Sequence, residues 1–342
     1  MCDALVSRDL DVAAAHVGEA WQQLRGKSIF LTGGTGFVGK WMLATLAHAR
    51  ARFQLDCHIT LLSRHPQHFT DHWSNFFDGS WMHLWKGDLK DFHFPTSRYE
   101  FVIHAGGDVV QIAGHDDLAK TAVIGTDRVL QFANQCGTTH FHFVSSGAVY
   151  GQQPWDLPMI SEEQSWMQSV PSDSYTEGKR VAEALVQEPT RNQNFKVTIS
   201  RCFTTVGPLL PLSSRFVIGN LIRDALAGGD LCLVGDGTAV RSYLYAADMA
   251  GWLWRIALSA KTSAIYNVGS SDAITILQLA HRVANLIRPT LAIRLGKVGA
   301  NSSRYVPNIS KVHRELGLVP TIDLDESIRR TAMYYDQSLH TT

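Results

Sequence analysis

The sequence predicts an α/β fold in which a doubly wound parallel sheet precedes a smaller C-terminal domain. Three observations predict it. Short apolar runs alternate with helical patterns from Ser28 to Ser200, a glycine-rich turn separates the first run from its helix, and after Arg201 the rhythm breaks into Gly/Pro-punctuated pieces. Strands alternating with helices are the pattern of a parallel sheet covered on both faces, and right-handed crossovers make it doubly wound.

Residues 1–26 read as a helical extension, with Asp11 to Leu24 an amphipathic helix packed outside the first strand and carrying no chemistry. Ser28–Thr32 is the first strand. Phe37, Trp41, Leu43 and Leu46 have the spacing of a helix that follows it. Further strands are expected at Ile59–Leu62, His83–Trp85, Phe101–His104, Phe141–Ser145 and Lys196–Ser200, with helices over Asp117–Gln135 and Ser174–Gln187. Residues 27–202 then form one domain. Residues 203–342 form mainly the second, with helices at Phe216–Ala227 and Ile276–Leu286, interleaved with the last sheet strands.

At 342 residues and 45% hydrophobic, the chain can fill a sizeable core. Lys plus Arg and Asp plus Glu balance at 31 each, which excludes a general pull toward nucleic acid or an anionic membrane. An anionic ligand must therefore be held by local positive groups. The five cysteines, Cys2, Cys57, Cys136, Cys202 and Cys232, have neither CxxC nor metal-ligand spacing, so no metal is expected and a reducing compartment is. No run reaches membrane-spanning length and the first residues do not read as a secretory signal, so the cytoplasm is the expected location.

Gly33, Gly36 and Gly39 stand at G-x-x-G-x-x-G spacing between the first strand and its helix. Such a turn lets backbone approach a pyrophosphate, which backbone N–H groups and the helix dipole then hold. The fold is accordingly of Rossmann type, with Gly33, Thr35, Gly36, Phe37, Val38 and Gly39 as dinucleotide-binding candidates. An Asp or Glu at the end of the second strand would select NAD through the ribose 2′-hydroxyl. Ser63-Arg64 stands there instead, and Asp56 lies at the wrong end of the strand. Arginine suits a 2′-phosphate, so NADP(H) is favoured over NAD(H). Asp88 is placed near the adenine amino group, Leu89 beside it is a further dinucleotide-binding candidate, and Ala105, Gly106 and Gly107 give smooth backbone for the dinucleotide to cross.

Tyr175 and Lys179 lie four residues apart, on one helix face, where the ammonium is expected to lower the phenol pKa. Upstream, Ser146 ends the fifth strand, where an α/β sheet opens its ligand crevice. Ser145, Tyr150, His104 and the Trp/Phe cluster from Trp73 to Trp85 read as structural. Thr32-Gly-Gly-Thr-Gly-Phe-Val-Gly39, Ser145-Ser-Gly-Ala-Val-Tyr-Gly151 and Tyr175-x-x-x-Lys179 together resemble the extended short-chain dehydrogenase/reductase family, the nucleotide-sugar epimerases, dehydratases and ketoreductases. The resemblance covers nearly the whole chain from Lys27. It implies that Tyr175 exchanges a proton with a sugar oxygen, that Ser146 orients that oxygen, and that Lys179 binds the nicotinamide ribose.

The same resemblance implies a nucleotide-diphosphate sugar held by Asn220, by Arg241 of Gly235-Asp-Gly-Thr-Ala-Val-Arg241 and by Arg304, and a homodimer. Departures narrow the reaction. Where dehydratases carry an Asp-Glu pair and decarboxylases a Glu, this chain has Gly147 and Ala148, and Thr204 replaces a usual Asn. Reduction of a nucleotide-linked 4-keto-6-deoxy sugar at C4 is the favoured reading. The alternatives are a C4 epimerase with tightly held NAD, and a non-catalytic dinucleotide sensor on the same fold.

Overall fold

A computed structural model of the chain describes residues 2–67, 69, 80–107, 115–164, 173–188, 195–212, 216–297 and 303–339. The main sheet has seven strands, all parallel: β1 (Ser28–Thr32), β2 (His58–Ser63), β3 (Met82–Lys86), β4 (Phe101–His104), β5 (His140–Ser146), β6 (Lys196–Cys202) and β11 (Ala264–Val268). Their order is β11-β6-β5-β4-β1-β2-β3, the doubly wound arrangement that the sequence predicts. Side chains of β1 alternate between two cores. Ile29 and Leu31 enter the core under α2 (Phe37–Phe53) and α6 (Ala246–Ser259), whereas Phe30 enters the one under α3 (His115–Gln135) and α4 (Ser174–Gln187). A strand buried on both faces reads as a continuous apolar run, which is why it is visible in sequence.

The short strands β7 (Thr205–Val206), β8 (Leu231–Cys232), β9 (Val240–Arg241), β10 (Leu244–Tyr245), β12 (Ile274–Thr275), β13 (Ile293–Arg294) and β14 (Arg304–Tyr305) form small sheets at the C-terminal side. With them α5 (Val217–Ala227), α7 (Ile276–Ile287) and α9 (Leu324–Leu339) enclose a third core around Ile218, Leu221, Leu279 and Ile328. The remaining helix, α8 (Ser310–Leu316), packs near β11. Among the described residues, no helix is long and apolar enough to cross a membrane.

The N-terminal extension differs from expectation. A helix, α1, runs over Cys2–Val17, and a 3-10 segment over Gly18–Leu24 follows. It packs on α6 rather than outside β1. Gly251 makes the crossing possible, because a Cβ there would sit 2.5 Å from the Ala13 carbonyl oxygen. The Trp21 and Trp254 rings meet 5.4 Å apart. Its polar positions were the misleading signal: Asp9, fully buried, accepts hydrogen bonds from Tyr245 and, at 2.6 Å, from Arg330, and His16 lies 2.7 Å from Asp248.

Candidate active site

The first four βα connections converge on one open cavity of about 390 Å³ at the C-terminal edge of the sheet. Gly33 and Thr35 to Gly39, Ser63 and Arg64, Asp88 and Leu89, and Ala105 to Gly107 all line it. Sequence reading missed Thr121, Pro211 and Phe216, which also line it. The turn is tight enough to require its glycines. Gly33 has φ +73°, and a Cβ there would lie 2.4 Å from Ala105 O; a Cβ at Gly39 would lie 2.3 Å from Gly33 O. Helix α2 begins at Phe37 without a side-chain cap, so its first amide groups stay available for an anion. A dinucleotide pyrophosphate fits this cradle. Ser63 is buried and accepts from the His65 N–H at 3.2 Å, and Arg64 beside it is exposed at the cavity rim. Asp56 is elsewhere, accepting from the Gly26 N–H.

The catalytic candidates meet where β5, β6 and α4 come together. Asp173 caps α4, accepting from the Thr176 N–H at 2.7 Å, and so fixes the turn that carries Tyr175. A buried ion pair between Glu183 and Arg201 (2.7 Å) ties the same helix to β6. Ser146 accepts from the Ala148 N–H at 3.1 Å, and the neighbouring hydroxyl favours ionisation of Tyr175. Lys179 donates to Val144 O at 3.3 Å and lies 5.0 Å from the centre of the Phe143 ring. Its Nζ also comes within 3.4 Å of where a Cβ on Gly107 would be, which joins this group to the end of the dinucleotide cavity.

Electrostatics here depart from the expected pairing. Burial pushes the Tyr175 phenol up to about 12, and the nearby Ser146 hydroxyl opposes this only in part. The Lys179 ammonium is turned to the Val144 carbonyl and the Phe143 face. Burial also pulls Lys179 down to about 8. Cys202, the register partner of Ser146, is a neighbour that sequence reading passed over; burial raises its thiol to about 12.

Of the residues read as structural, His104 and Tyr150 have structural partners, whereas the buried Ser145 hydroxyl has none among the described residues. His104 is buried between Thr32 (2.7 Å) and Thr126 (3.0 Å), Tyr150 donates to Asn267 at 2.9 Å, and Ser145 is buried. Trp81 is buried and Trp85 donates to His93 O, whereas Trp73 lies outside the described residues.

On the opposite side of the site, β14 pairs with β9 so that Tyr305 faces Arg241 and Arg304 faces Val240. Neighbours along a strand point to opposite faces. Arg241 therefore shares a face with Tyr305, and donates to Ser303 O and Oγ at 3.0 and 2.9 Å. Arg304 turns away, its guanidinium 5.1 Å over the Trp155 ring and 3.4 Å from Pro158 O. The two arginines expected as one clamp are not brought together. Asn220 stands in the first turn of α5, one turn after Phe216, and its side chain accepts from Arg223 at 3.3 Å. Tyr305 itself was missed. Its ring packs 4.5 Å from Phe203, and its hydroxyl sits 2.6 Å from where a Cβ on Gly147 would be. The strand parity that brings it there is a two-residue period that could have drawn attention to Tyr305 once Arg241 was chosen.

Residues 29–269 match the model of the NAD dependent epimerase/dehydratase family. Over 215 residues the chain is 33% identical to UDP-glucuronic acid decarboxylase 6 of Arabidopsis thaliana; the alignment covers 61% of each protein, less than two thirds of the relative's length. Its fold is similar to that of dTDP-glucose 4,6-dehydratase from Streptomyces venezuelae, solved with NAD bound (TM-score 0.79, 20% identity, 92% of this chain and 98% of that one). It is also similar to UDP-glucose 4-epimerase from Thermotoga maritima, solved with UDP-glucose (TM-score 0.76, 19% identity, 91% and 99%). The matched segment carries both the glycine turn and the Ser146, Tyr175 and Lys179 set, and the chain belongs to the NAD dependent epimerase/dehydratase family.

Proposed function

We propose that this chain is an NAD(P)-dependent oxidoreductase that reduces a nucleotide-linked 4-keto-6-deoxy sugar at C4. The observation that carries the reading is at Gly147. Dehydration and decarboxylation in relatives call on a carboxylate next to the catalytic hydroxyl, whereas here a side chain on Gly147 would strike Phe203 and the Tyr305 hydroxyl at 2.6 Å. A site without that carboxylate retains hydride exchange at one carbon with proton exchange at its oxygen.

When bound, the nicotinamide dinucleotide supplies the hydride. Gly33, Gly36 and Gly39 with the start of α2 would hold its pyrophosphate, and Lys179 its nicotinamide ribose. Arg64 beside Ser63 favours the 2′-phosphate of NADP(H). Tyr175 gives its proton to the oxygen at C4 while Ser146 aims that oxygen, so the carbonyl gains one hydride and one proton and becomes a hydroxyl. A phenol held near 12 is protonated at neutral pH, which suits a proton donor. Arg241 would pair with the substrate diphosphate.

Mixing the protein with NADPH and a nucleotide-linked 4-keto-6-deoxyhexose, while following nicotinamide absorbance and resolving products by NMR, tests this. Stoichiometric loss of NADPH with a 4-hydroxy product is expected. Interconversion of two 4-hydroxy sugars without net absorbance change would replace the reading with epimerisation. A 4-keto-6-deoxy product from an ordinary nucleotide hexose would overturn both.

A further inference from the structure

Apart from glycine, three described residues have a left-handed backbone: Gln54, which ends α2, Ser263, in the turn before β11, and Leu209, with φ +71°. Leu209 lies between the two domains. Its side chain packs on the core under α2 and α6, and that of Leu210 is buried in the third core. A left-handed leucine is strained, and it persists only where the surroundings over-determine it. Here the carbonyl on each side of Leu209 is held by a different helix. The buried Trp41 indole, on α2, donates to Pro208 O at 2.9 Å, and the Tyr335 hydroxyl, on α9, donates to Leu210 O. The Leu210 N–H closes the turn on Gly207 O at 3.2 Å. Pro211 comes next and lines the dinucleotide cavity; among the described lining residues, only it and Phe216 come from beyond Arg201. Behind it stands α5, where a Cβ on Gly219 would lie 3.1 Å from Pro211 O.

We propose that Tyr335 and Trp41 are positioning residues that hold the strained Leu209 turn so that Pro211 stays in contact with a bound nicotinamide dinucleotide, which rests on the dinucleotide reading of that cavity. Trp41 belongs to the helix whose first amide groups face the pyrophosphate cradle, and Tyr335 to the last helix of the chain, so the two tethers reach the turn from opposite sides of the domain seam. If either carbonyl is released, Leu209 relaxes to the right-handed backbone that its side chain prefers, and Pro211 moves off the cavity wall. Proline has a fixed φ and no N–H, so what it gives the ligand is a rigid apolar face and no hydrogen bond. The tethers thus act on how long a dinucleotide stays, and not on the proton exchanged at Tyr175.

Tyr335→Phe keeps the ring and removes only the hydroxyl that reaches Leu210 O. Titration calorimetry and stopped-flow with NADPH, and again with NADH, should show about tenfold weaker binding, the worth of one hydrogen bond, carried by faster dissociation. In a Leu209→Gly background, where a left-handed turn needs no restraint, the same substitution should cost at most about threefold. Pro211→Ala leaves both tethers in place and should quicken dissociation by itself, with little left for Tyr335→Phe to add. Hydrogen exchange in the free protein reads the turn without any ligand: the Leu210 amide should exchange faster in Tyr335→Phe than in wild type. If it does, but wild type binds neither NADPH nor NADH, the tethered turn stands and the dinucleotide reading fails. A Tyr335→Phe protein that melts lower but binds with wild-type affinity would make the tyrosine merely structural and overturn the inference. So would equal losses with and without Leu209→Gly, or a Pro211→Ala protein that releases the dinucleotide at the wild-type rate.

Discussion

Arg201 and Glu183 form an ion pair sealed from solvent at the seam between β6 and the helix that carries Tyr175 and Lys179, with two guanidinium nitrogens on the carboxylate at 2.7 to 3.2 Å. The guanidinium also lies 4.6 Å from the centre of the Tyr150 ring. Removing one partner of such a pair leaves a charge with no compensation in low dielectric. Glu183→Gln should therefore destabilise the fold by about 3 kcal/mol or more, read as a lower denaturant midpoint at unchanged slope. Wild-type stability in this variant would mean that solvent reaches Arg201.

Tyr175→Phe should lose most turnover while fold and dinucleotide affinity persist, because the phenol's role is proton transfer and its ring remains. Near-normal rates would remove it from the chemistry.

Lys179 holds its charge against burial. Below pH 8 it is protonated in both folded and unfolded chains, and folding bears the whole desolvation penalty; from 8 to the ordinary 10.5 the unfolded chain holds the extra proton, so stability rises with pH. Lys179→Met should gain roughly 3 kcal/mol at neutral pH, an advantage that fades as pH passes from 8 to 10.5, and should abolish turnover. Thermal melts of both proteins across that range check the sign.

Acid should weaken the fold through two buried imidazoles. His104 and His142 are each held neutral down to about 3 by burial, from an ordinary 6.5. Above 6.5 neither state is protonated and nothing is lost. As pH falls from 6.5 toward 3 the unfolded chain takes up protons that the folded one refuses, which removes about 1.4 kcal/mol per unit for each histidine. His142 bonds Thr198 at 2.8 Å through Nδ1, while its Nε2 has no partner among the described residues. His142→Leu should shift acid unfolding, followed by circular dichroism, to lower pH.

Arg64→Ala should weaken NADPH binding far more than NADH binding. A wild-type protein that prefers NAD(H) in titration calorimetry would make Arg64 a surface residue only.

The elements legible in sequence are those whose own residues decide their state. Phe101–His104 and Ser174–Gln187 have the expected bounds, because a doubly buried strand and a capped amphipathic helix each carry their pattern locally. Arg304 was not legible: whether it or Tyr305 faces the site depends on pairing with β9, and a one-residue shift in parity exchanges them. The Tyr175 pKa was misread for a similar reason. Spacing puts Lys179 on the same helix face, but only the fold shows that Lys179 is buried and Tyr175 half-buried. The edge strand β11 escaped because its partner β6 lies beyond two intervening helices, α5 and α6.

The docking of α1 also sets an order in time. Asp9 is made before every group that satisfies it, and its partners Tyr245 and Arg330 follow 236 and 321 residues later; the partner of His16 follows 232 later. A ribosome adding about 5–20 residues per second leaves the face of α1 that meets α6 uncovered for many seconds. Contacts of such long sequence separation form late, after the loop they close has been fixed by other means. Translation speed and chaperone supply should therefore govern the yield of this protein more than its equilibrium stability does, and moving α1 to the other end of the chain by circular permutation should shorten the wait.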